Sequence, residues 1–254
     1  MADDSVEQIP VNAEDFEFDY FAGELSVSPN GKTAFLYYQS NAQGQENYIR
    51  VTVDCDKKEY THKDSGSCLN AVWNDDGSLF AEASSSGIIN VCSAKGDLMY
   101  KIDTEQRIPV GMTFYGKKLY VIYTVNVMCC YDQQGNQISS IKLNNGDLNT
   151  VSTAQFEFTP TYLFVTVGGF TNIVNLSDNK SIAAFSGFMC VYSSKDNDPN
   201  LREAVVCCKT ITNKYGSTMG YYQFKTPGRL IERAKEYLKG VTMSEEFKQK
   251  YALG

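Results

Sequence analysis

The stretch from Cys68 to Ile102, CLNAVWNDDGSLFAEASSSGIINVCSAKGDLMYKI, constrains the fold more than any other part of the chain. It reads as four short strands, CLNAVW, SLFAEAS, IINVCS and DLMYKI, separated by NDDG, SSG and AKG. The punctuation has a mechanism. Glycine supplies a positive φ without steric cost, and aspartate bonds its own backbone two residues on. Connections this short leave consecutive strands no geometry but an antiparallel meander.

The same plan recurs on both sides. ELSVS, TAFLYYQ, NYIRVTV and EYTHK precede it. PVGMTF, LYVIYT, NVMCCYD and NQISSIKL follow, then STAQFEF, YLFVTVG, GFTNIVNL and KSIAAFS. A fifth, less regular unit is read from GFMCVYSS through REAVVCCKT, ITNKYG and MGYYQFK. The first turns of the units fall near Asn30, Asp76, Gly116, Pro160 and Asp196, a recurrence close to the ~40–45 residues of a propeller blade. The expected fold is therefore an all-β propeller of about five four-stranded blades over residues 15–226. An acidic arm (1–14) precedes it, and C-terminal helices (227–254) follow, packed on the propeller or extending it.

Within this frame, VWNDDGSLFAEASSSGIINVCSAKGDLMYKI resembles the WD40-like repeats: strand, Asp-Gly turn, small-residue strand, apolar strand, Gly turn. The resemblance covers roughly residues 22 to 225. The Gly-His and Trp-Asp dipeptides of regular repeats are absent, and Trp73 stands in a first strand. Such propellers imply a non-catalytic scaffold for protein partners, here a subunit of a larger cytoplasmic assembly of trafficking or coat type. By this likeness, the fourth-to-first and second-to-third strand loops share one face. These are 63–67, 103–107, 144–150, 40–46, 84–87 and 168–170. Arg107, Phe170, Lys63 and Asn149 are the expected partner-binding residues there, with Arg and aromatics leading interface energetics. The ring either closes through the strand FEFDY (Phe16 to Tyr20) or leaves an open blade edge for a partner.

Charge narrows the partners. The net charge is −7, and eight carboxylates with no lysine or arginine fall in residues 1–24. The remainder is close to neutral, with no strong field of one sign, so nucleic acid is not expected as the main partner. No apolar run approaches the roughly 20 residues of a membrane span, and no secretory signal is visible at the N-terminus. Cysteines 55, 68, 92, 129, 130, 190, 207 and 208 form no CxxC pair. Neighbours such as Cys129 and Cys130 on one strand point to opposite faces, which favours buried thiols in a reducing compartment.

Chemistry is sparse. His62 is the sole histidine, so neither a Cys/His zinc site nor a serine–histidine pair is expected. The run from Asp196 to Asn200 starts like a calcium loop, but Leu201 stands where glycine is needed and Cys207 where glutamate is. No cofactor or metal is expected. Two alternatives remain. A five-bladed glycosidase would use Glu82 and Glu157, carboxylates within apolar strands. A small-ligand or lipid-headgroup sensor would want a basic cluster. At the C-terminus, RLIERAKEYLKG spaces Leu230, Ile231, Ala234, Tyr237 and Leu238 at helical intervals. Thr242 to Glu245 then opens a second helix with a capping box.

Overall fold

A computed structural model of the chain describes residues 25–40, 47–65, 68, 70–143, 154–191, 205–213, 216–224, 234–237 and 239. The chain divides into two compact units, Met1–Ser186 and Gly187–Gly254. The fold is all-β and of propeller type.

The first unit holds four four-stranded antiparallel sheets, each a simple meander. Blade 1 is β1 (Leu25–Val27), β2 (Thr33–Ser40), β3 (Asn47–Asp54) and β4 (Glu59–Ser65). Blade 2 is β5 (Asn70–Trp73), β6 (Leu79–Ala83), β7 (Ile88–Ser93) and β8 (Leu98–Asp103). Blade 3 is β9 (Pro109–Tyr115), β10 (Lys118–Tyr123), β11 (Val127–Tyr131) and β12 (Gln137–Lys142). Blade 4 is β13 (Gln155–Phe158), β14 (Tyr162–Val167), β15 (Phe170–Asn175) and β16 (Lys180–Ser186). First strands of successive blades meet, β1 with β5, β5 with β9 and β9 with β13. The fourth strands therefore lie outermost.

The turns form as their residues dictate. In the first turn of blade 2, the Asn74 side chain accepts from the Leu79 amide at 2.9 Å, and Asp76 accepts from the Ser78 amide at 2.8 Å. Gly77 adopts φ 69°, a conformation that costs other L-residues energy. Asp132 repeats the device in blade 3, accepting from the amides of Gln134 and Asn136.

The two faces of each middle strand bury against different neighbours. In β10, Leu119, Val121 and Tyr123 join Ala81, Ile89 and Val91 of blade 2 in one core. Tyr120 and Ile122 join Leu163 and Val165 of blade 4 in another. All five consecutive residues Leu119–Tyr123 are at most 1% exposed. Cys129 lies in the first core and Cys130 in the second, as strand alternation requires. Cys55, Cys68, Cys92, Cys129 and Cys130 are free thiols.

The second unit contains a three-stranded sheet, β17 (Phe188–Val191), β18 (Val205–Asn213) and β19 (Gly216–Phe224). The segments read as two strands, REAVVCCKT and ITNKYG, merge here into β18. Its nine residues all pair with β19, because no turn residue interrupts VVCCKTITN. Residues 234–237 form an exposed helical turn, with Tyr237 at 73%. The FEFDY strand, the Asp196 loop and the second helix lie outside the described residues.

Truncating the doubly covered strand tests this packing. Ile122→Ala should cost about 2–5 kcal/mol in urea denaturation, whereas Lys117→Ala on the adjacent exposed turn should stay within about 0.5 kcal/mol.

Candidate functional site

On one side of blades 2 and 3, hydrogen bonds tie the second-to-third loops to the fourth-to-first loop. The Thr104 amide and hydroxyl both donate to the Gly87 carbonyl. The Thr124 amide donates to the Ile108 carbonyl at 3.1 Å, and the Leu143 amide to the Asn126 carbonyl at 2.8 Å. Gly87 is required by close approach, since a Cβ there would stand 2.8 Å from Thr104 Oγ1 and 2.9 Å from Gln106 Cα. Loops 84–87 and 103–107 thus lie together, whereas 41–46 and 144–150 fall outside the described residues.

At their centre is a strained turn. The Arg107 amide donates to the Thr104 carbonyl at 3.1 Å. Between them Glu105 and Gln106 sit at φ 54° and 65°. Two consecutive left-handed residues bearing side chains are costly, and such strain persists only where surroundings enforce it. Here the clamp on Gly87 and the anchoring of Arg107 do so. The Arg107 Nε donates to the Thr104 carbonyl at 2.8 Å. Its Nη1 lies 3.5 Å from Cys129 Sγ, and its guanidinium stacks 4.7 Å over the Tyr123 ring. The Tyr123 and Tyr131 hydroxyls share a buried 2.8 Å hydrogen bond, and burial pushes the Tyr131 phenol up to about 12. Around the turn, Ile88, Ile108 and Val125 are 37, 44 and 55% exposed. The backbone bond from Thr124 to Ile108 ties the two loop segments that carry the last two.

A second constellation lies between blades 1 and 2. Arg50 of β3 is 1% exposed. Its Nη1 donates to Glu82 Oε2 of β6 at 2.8 Å, and the Tyr37 hydroxyl donates to the same oxygen at 2.9 Å. The Asn90 amide donates to Glu82 Oε1 at 3.3 Å. The guanidinium lies 5.3 and 5.2 Å from the Phe35 and Phe80 ring centroids, and Phe35 stacks on Trp73 at 4.9 Å. Burial, with Glu82 next, raises the Tyr37 phenol far above its ordinary value. Arg50 Nε and Asn90 Oδ1 have no hydrogen-bond partner among the described residues. This cluster joins two blades and leaves only part of the Glu82 side chain, 14%, exposed.

The residues singled out in the sequence separate here. Arg107 is on the loop face, but its side chain is only 24% exposed and anchors the turn. Phe170 opens β15 rather than lying in a loop, pairing with Val167 and Ser186. Lys63 also lies in a strand, opposite Arg50 in β4, because the β3–β4 ladder continues to Ser65. Asn149 lies outside the described residues. Glu82 is engaged by Arg50, Tyr37 and Asn90, and Glu157 is exposed on β13. The two carboxylates lie in non-adjacent blades. Ile108 and Val125, which sequence reading missed, carry a retrievable signal: apolar residues inside loop segments flanked by polar ones.

A cavity of about 400 Å³ beside blade 1 is lined by Lys32, Lys57 and Lys95 together with Asp54, Asp56 and Glu59. Lys32 pairs with Asp56 at 3.3 Å and Lys57 with Asp54 at 2.9 Å. Its charges balance, so it offers no net field to an ionic ligand.

Two measurements follow from this geometry. Arg50→Met or Glu82→Leu alone should cost about 3–5 kcal/mol, and the double substitution should recover most of it, as read by a double-mutant cycle in chemical denaturation. Gln106→Gly should stabilise the chain by roughly 1 kcal/mol by removing left-handed strain, measured by thermal unfolding.

No family model matches the chain, and no curated protein matches it in sequence. Solved structures do match. Hydrazine synthase from Kuenenia stuttgartiensis aligns with a TM-score of 0.53 and 14% identity, over 81% of this chain and 63% of that one. BamB from Moraxella catarrhalis gives 0.52 and 11%, over 78% and 57%. U3-55K gives 0.54 and 10%, over 78% and 60%. The chain spans less than two thirds of each of these structures. At these identities the likeness is one of fold, and that fold is the β-propeller.

Proposed function

We propose that this chain is a protein-interaction propeller, a WD40-like non-catalytic scaffold subunit of a larger assembly, that binds a protein partner through the loop face of blades 2 and 3. The observation that carries the reading is the 104–107 turn. Two side-chain-bearing residues are held left-handed by a glycine clamp and a stacked arginine. The clamp displays Glu105, Gln106 and the apolar pair Ile108 and Val125 to solvent. A loop held rigid on packed blades meets a partner at little ordering cost. Exposed apolar groups within a polar rim are the composition of an interface core.

Arg107 acts in this reading chiefly by holding the turn, and Phe170, Lys63 and Asn149 serve as outlying contacts. A reducing, cytoplasmic setting accords with the thiols. Among the described residues, no helix is long and apolar enough to cross a membrane. The glycosidase reading loses support because Glu82 is tied to Arg50. A hydrolytic carboxylate must reach substrate and proton.

The test is affinity purification of the tagged chain from its own cells, with stoichiometry by mass spectrometry. Ile108→Asp with Val125→Asp should remove a stoichiometric partner while shifting Tm by less than about 2 °C, a surface-scale effect. Arg107→Ala should lower both Tm and partner recovery. Undiminished partner recovery with the Ile108/Val125 variant would sink the assignment of this face.

A further inference from the structure

The junction of blades 1 and 2 breaks the packing rule of the other junctions. Toward blade 3, blade 2 presents buried Ile89, Val91 and Ile102 from its third and fourth strands. Toward blade 4, blade 3 presents Met128, Cys130 and Ile141 from the corresponding strands. Blade 1 instead turns a polar grid toward blade 2. Arg50, Thr52 and Asp54 share one face of β3. They pair in register with Tyr37, Phe35 and Thr33 of β2 and with Lys63, Thr61 and Glu59 of β4. Phe35 alone among them carries no polar group.

One end of this grid is shut. There Arg50 and Tyr37 meet Glu82, and Phe35 meets Trp73 and Phe80. The other end is open. Thr33, Thr52, Thr61 and Glu59 line the cavity of about 400 Å³, and Lys95 lines it from the β7–β8 turn of blade 2. Arg50 Nη2 donates to the carbonyl of the next residue, Gly96, at 3.4 Å, so the guanidinium stands at the inner end of the cleft.

A cavity of this size lies at the small end of ligand sites, and its walls restrict the class of ligand. Lys32 with Asp56 and Lys57 with Asp54 cancel in pairs. That leaves Glu59 on blade 1 and Lys95 on blade 2, neither in an ion pair among the described residues. The balance disfavours an ion. Apart from Tyr60 and Ala94 every lining residue is polar, which disfavours an apolar molecule. What the walls offer is hydrogen bonding. The hydroxyls of Thr33, Thr52 and Thr61 make no hydrogen bond to another described residue, and a hydroxyl both donates and accepts. In the shut end, the buried atoms Arg50 Nε, Asn90 Oδ1 and Trp73 Nε1 have no partner among the described residues either. Unsatisfied polar groups gathered at one junction call for a reason, and dry packing of the kind seen at the other two junctions does not supply it.

We propose that the cleft between blades 1 and 2 binds a small, neutral, polyhydroxylated molecule of the saccharide or polyol class. Its hydroxyls donate to Glu59 and accept from Lys95, and the threonine hydroxyls take either role along its length. The cleft lies at the end of the blades that carries the first-to-second and third-to-fourth turns. The 104–107 turn lies at the other end, so this site is independent of the protein-docking face.

The experiment is saturation-transfer difference NMR on the full chain with a pool of glucose, galactose, mannose, N-acetylglucosamine, lactose and myo-inositol. Alanine serves as a zwitterion control, and inorganic phosphate, followed by its phosphorus line width, as an anion control. At least one pool member should receive saturation, and the controls should show no binding. Thr52→Val/Thr61→Val keeps the side-chain shape and removes two hydroxyls, so binding should fall about tenfold with an unchanged circular dichroism spectrum. Lys95→Trp, on an exposed turn, should block the cleft and abolish the transfer, and this variant decides the matter if the valine variant folds poorly. Absence of transfer to every pool member, preference for alanine or phosphate, or transfer indifferent to these substitutions would overturn the proposal. Ile108→Asp/Val125→Asp should leave the transfer unchanged, which separates failure of the cleft from failure of the loop face.

Discussion

Burial of the middle strands on both faces is the constraint on which the architecture depends. The segments KLYVIY and YLFVTV are apolar at nearly every position. A strand of that kind cannot leave either face in water, so its sheet must be covered twice. Blade 3 meets the requirement by dividing β10 between two cores, one shared with blade 2 and one with blade 4. Each sheet is then a wall between neighbours, and the four meanders stack in chain order through their first strands. The outer strands, needed by no neighbour on their free edge, return to mixed polar and apolar residues.

The junction of blades 1 and 2 departs from this apolar rule. Its core is smaller and aromatic, and a guanidinium–carboxylate pair occupies its middle. Buried ion pairs commonly contribute little net stability, yet losing one partner is expensive because the other charge is left in a poor medium. The flanking rings of Phe35 and Phe80 and the hydroxyl of Tyr37 offset part of that desolvation. Glu82 of blade 2 is the one carboxylate that both Arg50 and Tyr37 of blade 1 reach, and Asn90 holds its other oxygen from within blade 2.

Rigidity in the blades permits strain in the loops. The turn from Thr104 to Arg107 holds an unfavourable backbone because Gly87, Thr104 and Tyr123 are themselves fixed by packing. One-residue bulges between the third and fourth strands of blades 2, 3 and 4 are a second departure from regular structure, and they expose apolar groups on the opposite margin of the same sheets. In both places the ladder or the turn gives up local regularity, and particular side chains face solvent.

Much of the fold was legible because strand alternation and turn chemistry are local. NDDG, AKG and QQG marked turns since Asp and Gly act within a few residues, and the four meanders follow from their spacing. The fifth unit was less legible. VVCCKTITN contains no strong breaker, and β18 runs through it as one strand. Exposure was not legible either. Arg107 has the residue type of an interface anchor but spends its guanidinium on Thr104, Cys129 and Tyr123. Glu82 has the type of a catalytic acid but neutralises Arg50, thirty-two positions earlier. The sequence by itself determined the strands, their turns and the antiparallel order, because those depend on period two and on residues a few positions apart. Only the tertiary structure decided which polar groups pair across blades and which apolar groups face water, because those outcomes depend on register between sheets that no local pattern encodes.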